Sequence, residues 1–147
     1  MKYRISILPL ALLLFTSLAL ADAPSVSIND VWIRSAPAGV ETLSGYMTLE
    51  NLTDKPLQIL SVSSPDFGSV MFSPVDEPGK LHSTLLMKTF NLPPHQPVVF
   101  KQDAVHLRLS QPHKRLFDGD IVTLIFDFSD GSSLSLMAPV RREPPSQ

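Results

Sequence analysis

Few side chains in this sequence can bind or transfer anything. Cysteine is absent, so thiolate nucleophiles, disulfides and every Cys-based zinc or iron–sulfur site are excluded. No Gly-rich phosphate loop and no Gly-x-Ser-x-Gly elbow occurs, and no spacing of Ser, His and Asp marks a triad. With no nucleophile and base to name, the expectation is a protein that is not an enzyme. What remains is four histidines and five methionines. Imidazole with thioether is a soft donor set that suits Cu(I).

The histidines sit in different settings. His95, in LPPHQP, and His113, in QPHKRL, fall in proline-marked turns, and Lys114 and Arg115 beside His113 disfavour a further cation. His82 follows the Pro78-Gly79 turn. His106 lies in AVHLRL (104–109). On a strand, successive side chains alternate faces. Val105, Leu107 and Leu109 then point inward, and Ala104, His106 and Arg108 outward. By the same alternation Met71, between Val70 and Phe72, faces outward with Ser73. Met47 and Met137 are expected in the core. His106, His82 and Met71 therefore form a candidate metal set, with Met87 less favoured. The alternative is that they are ordinary strand residues. The carboxylate pairs Asp118/Asp120 and Asp127/Asp130 flank turns, where Asp shapes and caps the backbone.

The elements that must position these residues are short strands. VSINDVWIR (26–34), SGYMTLEN (44–51), LQILSVSS (57–64), SVMFS (69–73), HSTLLMKTF (82–90), QPVVFKQ (96–102), AVHLRLS (104–110), DIVTLIFDFS (120–129) and SLSLMAPV (133–140) each end at Pro, Gly, Asn or Asp. Asp130-Gly131 between two strong runs is a hairpin signal. Eight or nine such strands predict an all-β sandwich or barrel.

The domain does not begin at Met1. Lys2 and Arg4 precede an apolar run broken by Pro9, Thr16 and Ser17, and Ala19-Leu20-Ala21 is a small-x-small cleavage pattern. This reads as a secretory signal peptide over residues 1–21 rather than a retained anchor. The domain spans 22–140, and the polar, Pro-rich 141–147 reads as a disordered tail. Cleavage removes two cations and no acid, making a chain of net charge −2 more negative still. Such a chain has no electrostatic attraction to nucleic acid or anionic lipid, and after cleavage nothing remains to insert in a membrane.

Taken in order, DVWIRSAPAG (30–39), SGYMTLEN (44–51), LSVSSPDFGSVMF (60–72), NLPPHQPVVF (91–100) and LFDGDIVTLIFDFSDG (116–131) resemble the periplasmic copper chaperones of the PCu(A)C family. The resemblance implies a cupredoxin-like Greek-key β-sandwich. It also implies handling of Cu(I) in the periplasm for cytochrome c oxidase assembly, with an assembly factor or oxidase subunit as partner. The family's metal motif is His-x10-Met-x21-His-x-Met. With His106 in its third place, the other three positions fall on Ser73, Thr84 and Arg108. The frame is kept and three of the four ligands are replaced. Hydroxyls are poor donors to a soft ion, and a guanidinium is always charged and cannot ligate. At about 5 Å and an effective dielectric near 20, Arg108 would repel Cu(I) by roughly 3 kcal/mol. That weakens affinity about a hundredfold. Two readings follow. One is a copper-handling protein with a reduced site, using His106, His82 and Met71. The other is a non-metal module in which Arg108 and His106 meet a protein or small anion.

Overall fold

The computed structural model describes residues 23–74 and 86–144. Nine strands build it: β1 (Val26–Arg34), β2 (Thr42–Asn51), β3 (Leu57–Ser63), β4 (Phe67–Ser73), β5 (Phe90–Leu92), β6 (Pro97–Phe100), β7 (His106–Pro112), β8 (Ile121–Phe128) and β9 (Ser133–Arg141). Hydrogen-bonded neighbours run β4-β7-β2-β1-β9-β8-β3-β5, with β6 also paired to β2. The path folds into two layers. β4, β7, β2, β1 and β6 form the first sheet, and β9, β8, β3 and β5 the second. The layers meet where β1 and β9 run parallel through two pairs, Ile33↔Val140 and Arg34↔Arg141.

Alternation decides what is buried. Val122, Leu124, Phe126 and Phe128 of β8 point into the sandwich, where Ile33, Leu49, Phe72, Phe100, Leu107 and Leu109 of the first sheet meet them. The β8–β9 hairpin turns at Asp130-Gly131 as expected. Gly131 takes φ 84°, a left-handed value that suits glycine. Asp130 accepts from the Ser132 hydroxyl at 2.6 Å and its N–H at 2.9 Å. Led by the Ser132 hydroxyl, these bonds hold its carboxyl below the usual range. Asp127 is lowered likewise, first by the Ser133 hydroxyl at 2.6 Å and then by Ser61 at 2.7 Å. The Asp118/Asp120 pair also serves backbone: Asp120 accepts from Phe117 N–H and Asp118 from Arg142 N–H.

Two features set the geometry of the first sheet. β7 and β6 lie end to end along one edge of β2, the first pairing Thr42 to Gly45 and the second Met47 to Glu50. Residues 101–105 leave the ladder between them, opposite Tyr46, and close on themselves through Lys101 N–H to Val105 O and Ala104 N–H to Lys101 O. Gly45 lets β2 and β7 approach, since a Cβ there would stand 3.2 Å from both Leu107 Cβ and Leu109 Cδ1. Asn51, fully buried, donates to Lys55 O and Leu92 O and accepts from the Thr53 N–H and hydroxyl. It fixes the β2–β3 turn against β5 with every polar atom of its side chain used.

Four expectations change. Met137 is 74% exposed instead of buried. SLSLMAPV alternates, and Met137 shares its parity with Ser133 and Ser135. Ser73 lies on the outer face as expected but is buried, standing directly opposite the His106 ring on β7. The strand expected over 82–90 lies partly outside the described residues. Its described part contributes one bridge at Met87, and β5 starts only at Phe90. Arg141, expected in the tail, closes β9, and Asp118 Oδ1 holds the following N–H at 2.9 Å.

Candidate functional site on the outer face of the first sheet

Register brings the outward side chains of four strands into two rows. Trp32 on β1 pairs with Tyr46 on β2, and Ser73 on β4 pairs with His106 on β7. The Tyr46 and His106 rings lie side by side, with centroids 6.2 Å apart, and those of Trp32 and Tyr46 are 4.8 Å apart. The first row therefore reads Trp32, Tyr46, His106, Ser73. Two residues along, Arg34 pairs with Ser44, Ser44 with Arg108 and Arg108 with Met71. The second row reads Arg34, Ser44, Arg108, Met71.

His106 begins β7 just as the chain returns from the 101–105 excursion. Its Nδ1 lies 3.1 Å from Ala104 O. A carbonyl only accepts, so Nδ1 carries the hydrogen and donates. In the neutral ring this leaves the lone pair on Nε2, the arrangement that prepares an imidazole to ligate. The ring is half-buried. Soft chemistry at this point needs a sulfur nearby. Met71 is the diagonal neighbour, at the roughly 7–8 Å separation of diagonal pairs across an antiparallel ladder. Arg108 occupies the corner between them, directly opposite Met71 and two residues from His106 on the same face. A guanidinium thus adjoins both candidate donors.

The other predicted residues separate. His82 and Thr84 lie outside the described residues. His95, at φ 53°, bonds Asp54 at 2.8 Å on the surface. His113 Nδ1 donates to Pro65 O at 2.9 Å. Met87, less favoured by spacing, is tied to β4 by two backbone bonds to Phe72, of 2.8 and 2.9 Å, next to Ser73. Among the described residues no group of three or more His, Cys, Asp or Glu gathers at one point. The sequence reading passed over Trp32 and Tyr46 as site residues. The signal was present in the alternation of DVWIR and SGYM, which puts Trp32 with Arg34 and Ser44 with Tyr46.

Comparison with known proteins follows the architecture. The LpqE-like family model matches residues 26–140. No curated protein matches the chain. The copper-bound PCuAC domain from PmoF2 superposes with a TM-score of 0.70 at 22% identity, covering 84% of this chain and 97% of that one. The apo PCuAC domain from PmoF1 gives 0.68 at 20% identity, covering 85% and 98%. The solution structure of Cu(I)-DR1885 from Deinococcus radiodurans gives 0.64 at 21% identity, covering 82% and 80%. These likenesses establish a shared all-β fold, as the resemblance implied.

Proposed function

This chain belongs to the LpqE-like family, and on that premise we propose that it is an exported protein of copper-chaperone type that holds Cu(I) weakly at His106. The observation that carries the reading is the His106 ring, oriented by Ala104 O so that Nε2 keeps its lone pair. Met71 supplies thioether sulfur from the diagonal position, and the sequence offers His82, outside the described residues, as the third donor. The copper-bound PCuAC domain from PmoF2 and Cu(I)-DR1885, of the same fold, support copper as the cargo. Arg108 makes the binding weak, because its fixed charge sits beside both donors. The apolar run before Ala21 and the family's lipoprotein description support export, with the periplasm as the destination. The receiver that the resemblance implies is an assembly factor or subunit of cytochrome c oxidase.

Titration with Cu(I) against a competing chelator tests this. The expected dissociation constant is about a micromolar. His106→Ala should abolish binding. Arg108→Met, which replaces the charge by a thioether, should tighten it. No binding at micromolar concentration removes the copper reading, and an unchanged affinity in Arg108→Met moves the site elsewhere.

One observation favours a second reading. Arg34 and Arg108 flank Ser44 on adjacent strands, and guanidinium groups bind carboxylates in forked geometry. A domain that binds no copper would then use this face for an acidic protein contact.

A further inference from the structure

At the Trp32–Tyr46 end of the first row, the outer face of the first sheet carries a groove of about 770 Å³. Trp32 and Tyr46 form its floor, the 101–105 excursion one wall, and the segment after β9 the other. None of His106, Met71 or Arg108 lines it. The volume falls in the range of about 300–1,000 Å³ usual for ligand sites. We propose that this groove binds the carboxyl-terminal end of a peptide, seating its last apolar or aromatic side chain on Trp32 and Tyr46 and its terminal carboxylate on Arg34.

The charges give the groove a direction. Arg34 Nη1 donates to Gln102 Oε1 at 2.6 Å. Among the described residues this neutral partner fixes the guanidinium without cancelling its charge and uses one of five donors. Lys101, by contrast, is balanced by Asp103 at 3.5 Å. Arg142 stands at the same end, since it and Arg34 also share the neighbouring depression beside Asp118. Asp30 lies four residues away along β1, in the bulge between Asn29 and Trp32, and repels a carboxylate from that end. Glu143, next to Arg142 on the rim, limits the site to a single negative charge and disfavours a polyacidic segment. One carboxylate beside one apolar group is the chemistry that matches this lining, and a peptide carboxyl terminus supplies both.

The half-buried Trp32 is the chain's one tryptophan, so its fluorescence reports the groove directly. The probe is a Gly/Ser hexapeptide ending in phenylalanine, compared as free acid and as carboxyl-terminal amide, with chelator present so that copper plays no part. The acid is expected to shift Trp32 emission saturably and to bind at least tenfold more tightly than the amide. Ending the peptide in alanine should weaken binding. Arg34→Gln should bind acid and amide equally while melting at the wild-type temperature, and Arg142→Gln should lose part of the preference. Absence of a saturable change up to millimolar peptide, or equal binding of acid and amide by the wild type, overturns the proposal. Emission that shifts with protein concentration alone also overturns it, by giving the groove to a second copy. Any of these failures leaves the copper reading untouched, because neither His106 nor Met71 lines the groove.

Discussion

The β8–β9 hairpin and the β4–β7 ladder are both long antiparallel pairs with buried inner faces, and they treat their outer faces in opposite ways. In the hairpin, outward carboxylates are taken up locally: Asp127 by Ser61 and Ser133, Asp130 by Ser132. In the ladder, unlike groups are set side by side, with His106 against Ser73 and Arg108 against Met71. The hairpin's polar groups complete a turn. Those of the ladder hold an imidazole and a guanidinium at fixed spacing on a rigid support. Turn-building chemistry thus lies on one sheet and the proposed copper donors on the other.

Four substitutions break or sharpen that contrast. The largest effect is expected from Phe126→Ala, which empties a fully buried site in the hairpin. It should cost about 3–5 kcal/mol in urea unfolding. Copper affinity of the remaining folded protein should hold, because the hairpin contributes no donor. Next, Arg108→Met should tighten Cu(I) binding about a hundredfold, roughly 2.7 kcal/mol. Stability should stay within about 0.5 kcal/mol, as befits an exposed side chain. An Arg108→Met variant that unfolds more easily would make the guanidinium part of the fold and end the contrast.

A smaller effect concerns acid. Hydroxyl hydrogen bonds lower the Asp127 carboxyl below its ordinary 3.8. Its contribution is therefore present above that value and is lost as pH falls through the lower, folded one. Asp127→Asn should be slightly less stable than wild type at neutral pH, and the difference should shrink below about pH 4. A difference unchanged by acid would show that the serine bonds do not depend on the charge. The smallest effect belongs to Met137→Ser: at 74% exposure it should leave the melting temperature unmoved.

Strands were legible wherever alternation was strict and turn residues bounded it. DIVTLIFDFS and the Asp130-Gly131 turn gave β8 and its hairpin nearly to the residue. Met137 was misread because an apolar residue was weighed by type; its parity with Ser133 and Ser135 already placed it outside. At the candidate site, alternation put His106, Arg108, Met71 and Ser73 on one face, and the register bears this out. Counting residues back from His106 passes over Met87, which is the residue bonded to β4 beside Ser73. A linear count measures chain length, whereas a ladder measures neighbours, and the two diverge wherever a loop changes size. The groove was illegible for a related reason. Its floor comes from β1 and β2, its walls from a loop excursion and from the chain beyond β9, and no single stretch of sequence contains it.

The parallel seam between β1 and β9 holds by two register pairs and the bond from Ser35 N–H to Arg141 O. Tension on the carboxyl-terminal end loads this short zipper before the seven-pair β8–β9 ladder. Trp32 and Arg34 sit on one side of it and Arg142 on the other, so a guest spanning them acts as a clasp. Slower amide exchange at Ser35 in the occupied protein would be the signature of that clasp.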